Sequence, residues 1–174
     1  MARASLLTSG QIANREMELL AVNTGTYAVP VWALVGTRVE SGEESYDYSA
    51  NTAQDILGNT YTDLKKPIIT QNFDAIPYIG GDEVMETIYE NTRNQDISAM
   101  TQYDCLLIHK YYGETGTPVK YDAERYPAST ILATSIGGDG GGYLNYGLDI
   151  TFGGEREVGY ATYSGTPSVW AFAT

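Results

Sequence analysis

Cysteine and histidine are each represented by one residue in this 174-residue chain, Cys105 and His109. A single cysteine leaves no intrachain disulfide, and its neighbours Leu106, Leu107 and Ile108 predict a buried, inert thiol. A metal centre of the usual kind needs several His or Cys ligands, which this chain does not supply, so no metal and no cofactor are expected. Any Ser-His-Asp triad would have to use His109, which lies inside a strand pattern with no nucleophile elbow beside it. Basic residues are also scarce, with 10 Lys and Arg against 22 Asp and Glu, for a formal charge of −12. That balance argues against a nucleic-acid binder, because phosphate contacts require cations that displace counterions. No apolar run approaches the roughly 18 residues of a membrane-spanning helix. The opening Met1–Leu7 is too short in its apolar part for a secretory signal, so synthesis in the cytoplasm is the expectation. Adjacent carboxylates such as Glu43/Glu44 and Asp82/Glu83 do not place two acids across a cleft, as glycoside hydrolysis demands. An enzyme is therefore not expected.

What is present points to a β protein with a sizeable core. Hydrophobic residues make up 43%, which excludes a disordered chain. The 19 glycines and 15 tyrosines fit turns and half-buried pleated surfaces. The length suits one domain, residues 1–174. Residues 1–16 are unpatterned and read as an N-terminal arm. Strand patterns then run from Met17 to Val22, and from Tyr27 to Val39 with apolar residues on both faces. Pro30 in the second cannot donate to a ladder and belongs at an edge or bulge. Residues 40–63 form a long polar and acidic loop in which Glu44–Ser49 alternates weakly. Loops of that length are usually functional. Tyr46, Tyr48, Ile56 and Leu57 within it are predicted contacts to a neighbouring copy, because a free loop gains nothing by exposing them.

Tyr61 to Phe73 reads as a further strand. Asp82 to Arg93 reads as the one helix, with Val84, Met85, Ile88 and Tyr89 on one face and Asp82 as N-cap. Tyr103–Tyr112 alternates, with Tyr103, Cys105, Leu107, His109 and Tyr111 on one side. Val119–Ile136 is a long strand broken near Pro127. Gly137–Gly142 is glycine-rich, but no Gly-Lys-Ser/Thr or helix follows, so it reads as a hairpin tip and not as a phosphate cradle. Tyr143–Phe152 is the cleanest strand. Leu144, Tyr146, Leu148, Ile150 and Phe152 face a core, while Tyr143, Asn145, Gly147, Asp149 and Thr151 face water. Turns at Gly153–Glu155 and Gly165–Pro167 lead into strands over Arg156–Tyr163 and Val169–Phe172, with the apolar tail tucked in. The expected fold is an antiparallel β-sandwich or barrel carrying one packed helix.

The segments Trp32-Ala33-Leu34-Val35-Gly36, Tyr46–Gly58, Phe73-Asp74, Gly81-Asp82-Glu83-Val84 and Ile136–Gly142 resemble, in order and spacing, the major tail tube proteins of long-tailed phages. The non-contractile, siphovirus type is the nearest in pattern. The resemblance runs from about residue 17 to 160. It implies hexameric rings stacked into a hollow tube, with the sheets of six subunits joined around a lumen. Met1–Asn14 and Glu40–Asp63 would make contacts between rings. Asn145, Asp149 and Thr151 would line the lumen, so that DNA passes during ejection without specific binding. Other implied partners are tape measure, tail-tip and terminator proteins, in a virion assembled in the bacterial host and without a membrane. Three alternatives remain at this point. One is the inner tube of a contractile tail or related injection system. Another is a neck-region or chaperone-like ring protein. The third is a monomeric carbohydrate-binding β-sandwich that uses Tyr and Trp as sugar platforms.

Overall fold

The computed structural model describes residues 3–165 and 168–174. The strands are β1 (Ala4–Ser5), β2 (Glu18–Asn23), β3 (Trp32–Val35), β4 (Glu43–Asp47), β5 (Asn51–Gln54), β6 (Thr60–Asp63) and β7 (Ile68–Pro77). Two helices follow, α1 (Glu83–Asn94) and α2 (Ile97–Met100). The remaining strands are β8 (Tyr103–Glu114), β9 (Lys120–Gly137), β10 (Asn145–Thr151), β11 (Glu157–Gly165) and β12 (Ser168–Ala173). All ladders are antiparallel. The main sheet has the order β3-β2-β8-β9-β10-β7-β4, with β1 added to β8, and β11 and β12 branching from β9.

The 18-residue β9 organises the fold. Its first half pairs with β8 and β11, and its second half with β10. Between them Cys105 faces Tyr126 while Tyr103 faces Ser129, so β9 carries one residue more than β8 over this step. Pro127 sits in that bulge, where its missing N–H removes no ladder bond. The expected break at Pro127 is thus a bend within a continuous strand.

The bend separates two layers. In the first, β3-β2-β8-β9-β11-β12 curls until β12 comes beside β3. Its concave side buries Ala21, Trp32, Leu106, Ile108, Ala123, Ala161 and Trp170. The curl requires small residues inside: a Cβ on Gly159 would stand 2.2 Å from the Ala173 carbonyl oxygen. The opposite side presents Leu20, Val22, Cys105, Leu107 and Tyr126 to the larger core. That core is completed by Phe73 and Ile76 of β7, Tyr146, Leu148 and Ile150 of β10, and Val84, Met85 and Ile88 of α1. The alternation expected for β10 therefore places Tyr146, Leu148, Ile150 and Phe152 in this core, and the two sides expected for β8 fall in different cores, Tyr103, Cys105 and Leu107 here and Leu106 and Ile108 in the smaller one. Two residues depart from the expectation: Leu144 precedes β10 and stays half exposed, and Gly147, expected to face water, is buried, where an added Cβ would stand 2.6 Å from Ser135 Oγ.

Helix α1 forms where its cap and periodicity predict. The Asp82 carboxylate accepts from the N–H groups of Val84 (3.2 Å) and Met85 (3.1 Å). Gln95, in the left-handed region at φ 54°, ends the helix. A second, four-residue helix, α2, follows in the stretch expected to be a polar linker, capped by Asp96 on Ala99 N–H at 3.0 Å. One turn is too short to show a helical period, which is why only one helix was legible.

Four expectations are corrected by the ladders. The strand expected over Tyr27–Val39 is reduced to Trp32–Val35. Asn23 folds the preceding residues into a loop, its Oδ1 accepting from Gly25 N–H (2.8 Å) and Val31 N–H (2.9 Å). Pro30 lies outside the ladder, Gly36 (φ 113°) and Arg38 (φ 61°) end the strand, and Leu34 remains exposed, so both faces are not covered. The stretch 40–63, expected as a loop with at most a short strand, holds the edge strand β4 on β7 and a separate two-stranded hairpin, β5–β6. The strand expected over Tyr61–Phe73 is divided, because residues 60–63 pair within the hairpin and β7 begins at Ile68. The N-terminal arm is partly a strand: Ala4 and Ser5 pair with Gly113 and Tyr112. Of the expected turn at Gly165–Pro167, Thr166 and Pro167 lie outside the described residues. The tail is tucked in as anticipated, with Trp170 buried.

Candidate functional site

Among the described residues, no group of three or more His, Cys, Asp or Glu side chains is placed to hold a metal ion. Among the same residues no helix is long and apolar enough to cross a membrane. The surface features that stand out are an appended hairpin, an acidic sheet face and two charged networks.

The β5–β6 hairpin is built by its own polar residues. Asp55 Oδ1 accepts from Leu57 N–H (2.8 Å) and Asn59 N–H (2.9 Å), and its Oδ2 accepts from the Asn59 amide (3.1 Å). These donors, Asn59 first, hold the Asp55 carboxyl below its ordinary pKa. The Gln54 amide donates to Gly58 O at 3.0 Å, and Gly58 takes φ 86°, a conformation suited to glycine. The product is an ordered tip that presents Ile56 and Leu57 at 102% and 81% exposure. Along the strands only Ala53 is half-buried; the rest is exposed on both faces. Of the other predicted contact residues, Tyr46 lies on β4 opposite Ile69, its hydroxyl donating to Glu44. Tyr48 lies between β4 and β5, its carbonyl accepting from Lys65 N–H at 3.0 Å. The four residues therefore fall at the base and the tip of the hairpin and not in one patch.

Asp149 and Thr151 are exposed and Asn145 is half-buried, all on one side of β10. In register with Asp149 are Asn72 of β7 and Leu132 of β9, and Asn72 pairs in turn with Glu43 of β4. This outward face carries Glu43, Asp47 and Asp149. Strands β4, β7 and β10 and the second half of β9 contain no lysine or arginine.

The charged networks were not visible in the sequence pattern. Arg125 is buried and makes a two-point contact with Asp104, at 2.9 Å from Nε and 2.6 Å from Nη2. It also donates to Tyr27 O at 3.1 Å, while the Tyr27 ring lies 4.0 Å from its guanidinium carbon and the Tyr27 hydroxyl donates to Glu157 at 2.6 Å. The available signal was a charge of each sign, Asp104 and Arg125, within two apolar strands. The second network centres on His109, 2.7 Å from Glu18 and 3.8 Å from Glu124. Burial alone would depress this imidazole, but Glu124 and Glu18 outweigh it and raise its pKa to about 10. Burial opposes ionisation of Glu124, but the charge of His109 at 3.8 Å and the donors Arg156 and Tyr126 bring its carboxyl down to about 2. An imidazolium so held is already protonated at neutral pH and cannot serve as a general base. Burial likewise pushes the Cys105 thiol to about 12, so it carries no reactive thiolate. The chemistry of both groups is structural.

No protein-family model and no curated protein sequence matches this chain. Solved structures do match. One is a sheath/tube terminator of the extracellular contractile injection system PVC in its extended state, at 12% identity and a TM-score of 0.50, covering 87% of this chain and 99% of that one. A chain of the sheath–tube complex of the same system is 10% identical over 87% of this chain and 94% of its own, with a TM-score of 0.47. The tube-terminating cap of the anti-feeding prophage is 13% identical over 89% and 95%, with a TM-score of 0.42. At such identity the likeness to the terminator establishes a fold alone, a mainly antiparallel β architecture shared with that protein.

Proposed function

We propose that the chain is a structural subunit that assembles with copies of itself into the tube, or the end of the tube, of a phage tail or a related contractile injection apparatus. The observation that carries this reading is the β5–β6 hairpin. Two-stranded hairpins are marginal in water by themselves, yet this one is ordered by local bonds and holds two aliphatic side chains fully exposed. That arrangement gains free energy only when a partner surface covers the tip. The fold shared with a tube terminator of a contractile system supports the same reading. It favours the contractile-type assignment over the non-contractile one that the sequence pattern brought forward.

In this reading the subunits form six-membered rings whose sheet edges join, which removes the open edges that otherwise template aggregation. The hairpin and the N-terminal residues reach the adjacent ring, with Ile56 and Leu57 at the tip and Tyr46 and Tyr48 at the base as contacts. Asn145, Asp149 and Thr151 face the lumen, where carboxylates without cations let DNA or another polyanion slide through. Tape measure, tip and terminator proteins are the remaining partners, and the assembled particle is the location.

Electron microscopy of the purified protein at high concentration, beside light scattering, tests the proposal. Stacked rings with a central channel are expected. Single rings that never stack would assign the chain to the tube end. A monomer at every concentration, which also fails to join preformed tubes, would remove the reading.

A further inference from the structure

A cleft of about 510 Å³ opens between the two layers where the chain crosses from β3 to β4, with Leu20, Val39 and Phe73 among its apolar walls. Its polar groups are short of donors. Gln71, 2% exposed on β7, lines the cleft, and its buried Oε1 has no hydrogen-bond partner among the described residues. Arg15, the one cation in the lining, is already committed to backbone carbonyls, to Glu18 O at 2.5 Å and Gly42 O at 3.3 Å. Glu16 and Glu40 also line the cleft, exposed and, among the described residues, without an ion pair. Such a site fits an ammonium carried on an alkyl stem: the stem covers the apolar wall while the head donates to an amide oxygen and a carboxylate.

The chain offers that group. Lys65 and Lys66 are the only adjacent pair of Lys or Arg residues in the sequence. Both are exposed and, among the described residues, free of ion pairs, and they follow Leu64, which is also exposed. A molecule cannot fill its own cleft, because Gln71 lies five residues beyond Lys66, along a segment that is mostly β7. At about 3.3 Å per residue that is about 17 Å, beyond a lysine's reach. We infer that the cleft of one subunit receives the Leu64–Lys66 segment of a second copy, with an ammonium on Gln71 Oε1 and Glu40. This rests on the self-assembly reading and adds which two surfaces meet.

Two full-length charge-reversal variants test it, Lys65→Glu/Lys66→Glu and Glu16→Lys/Glu40→Lys, all at exposed positions outside the core. Each alone is expected to raise the concentration needed for assembly at least tenfold, and a one-to-one mixture to recover most of it. A capped peptide of residues 63–68, titrated into the unassembled chain, is expected to shift the Gln71 side-chain amide in NMR spectra, and not to do so with the Glu16→Lys/Glu40→Lys variant. Tubes formed equally well by Lys65→Glu/Lys66→Glu and by the unaltered chain would overturn the inference and keep the tube reading. A Gln71 amide unmoved by millimolar peptide would also overturn it. A chain that never assembles but binds the peptide at Gln71 would keep the cleft and remove the tube reading.

Discussion

Two segments of this molecule carry exposed aliphatic side chains on turns, and only one of them is also clamped to the body by distant side chains. The loop between β2 and β3 presents Val29 and Val31, and the β5–β6 hairpin presents Ile56 and Leu57. The first has local bonds to Asn23 but is also fastened to the body from a distance: Tyr27 lies over Arg125, 98 positions away, and bonds Glu157, 130 positions away. The second is fastened chiefly to itself, through Asp55, Asn59, Gln54 and the Thr52–Thr62 hydroxyl pair. The loop's order is therefore coupled to global folding, whereas the hairpin's is not. An appendage whose order is local can bend or dock without disturbing the core, which suits a contact arm. A loop clamped by a buried ion pair can move only when part of the body opens.

The most severe way to break this contrast is Arg125→Met, which leaves the buried Asp104 with the Asn23 amide at 2.9 Å but without its cation. A loss of about 3–5 kcal/mol is expected, read by urea denaturation, together with exposure of the Tyr27 loop to limited proteolysis and no change at the hairpin. Adding Asp104→Leu should return much of that stability, because the pair contributes little net once both charges are gone. Asn23→Ala comes next. It removes the acceptor for Gly25 and Val31 N–H, and about 1–2 kcal/mol should be lost by the same measurement.

Acid and base should separate the two regions further. His109 is raised from 6.5 to about 10. Its stabilisation is complete below about pH 6.5 and is lost as pH climbs through 10. Glu124 is lowered from 4.5 to about 2. Its contribution is complete above about pH 4.5 and is lost as pH falls toward 2. Melting temperature should therefore peak between about 4.5 and 6.5 as far as this network governs it, and His109→Gln should flatten the alkaline side. The hairpin, ordered by the depressed Asp55 carboxyl, should loosen only in acid, visible as loss of amide protection at Leu57 and Asn59. The mildest effect on folding is expected from Ile56→Ser/Leu57→Ser, within about 0.5 kcal/mol. If the tip is the contact proposed here, the same variant abolishes assembly as scored by electron microscopy. Intact tubes from it would erase the functional half of the comparison.

Some of this protein was legible from local pattern alone. Helix α1 with its Asp82 cap, the alternation of β8 and β10, the burial of Cys105 and the glycine-rich hairpin tip all follow from periods and turn chemistry that act within a few residues. Exposure of Ile56 and Leu57 was legible too, because a polar stretch offers them no neighbours. Pairing was not. Residues 40–63 read as a loop because β4 gains its ladder only from β7, and the hairpin's short strands lack an apolar face. The strand after Tyr27 was overestimated because its apolar residues are alike in sequence, while Asn23 and Arg125 decide which of them enter the ladder. The union of Asp104 with Arg125, of His109 with Glu18 and Glu124, and the orphaned amide of Gln71 belong to the same class. Composition and periodicity determine what a segment can become, since they act through the segment's own backbone and solvent. Register, bulges and charge partners were decided only by the tertiary structure, since those energies exist only once strands far apart in the chain are brought side by side.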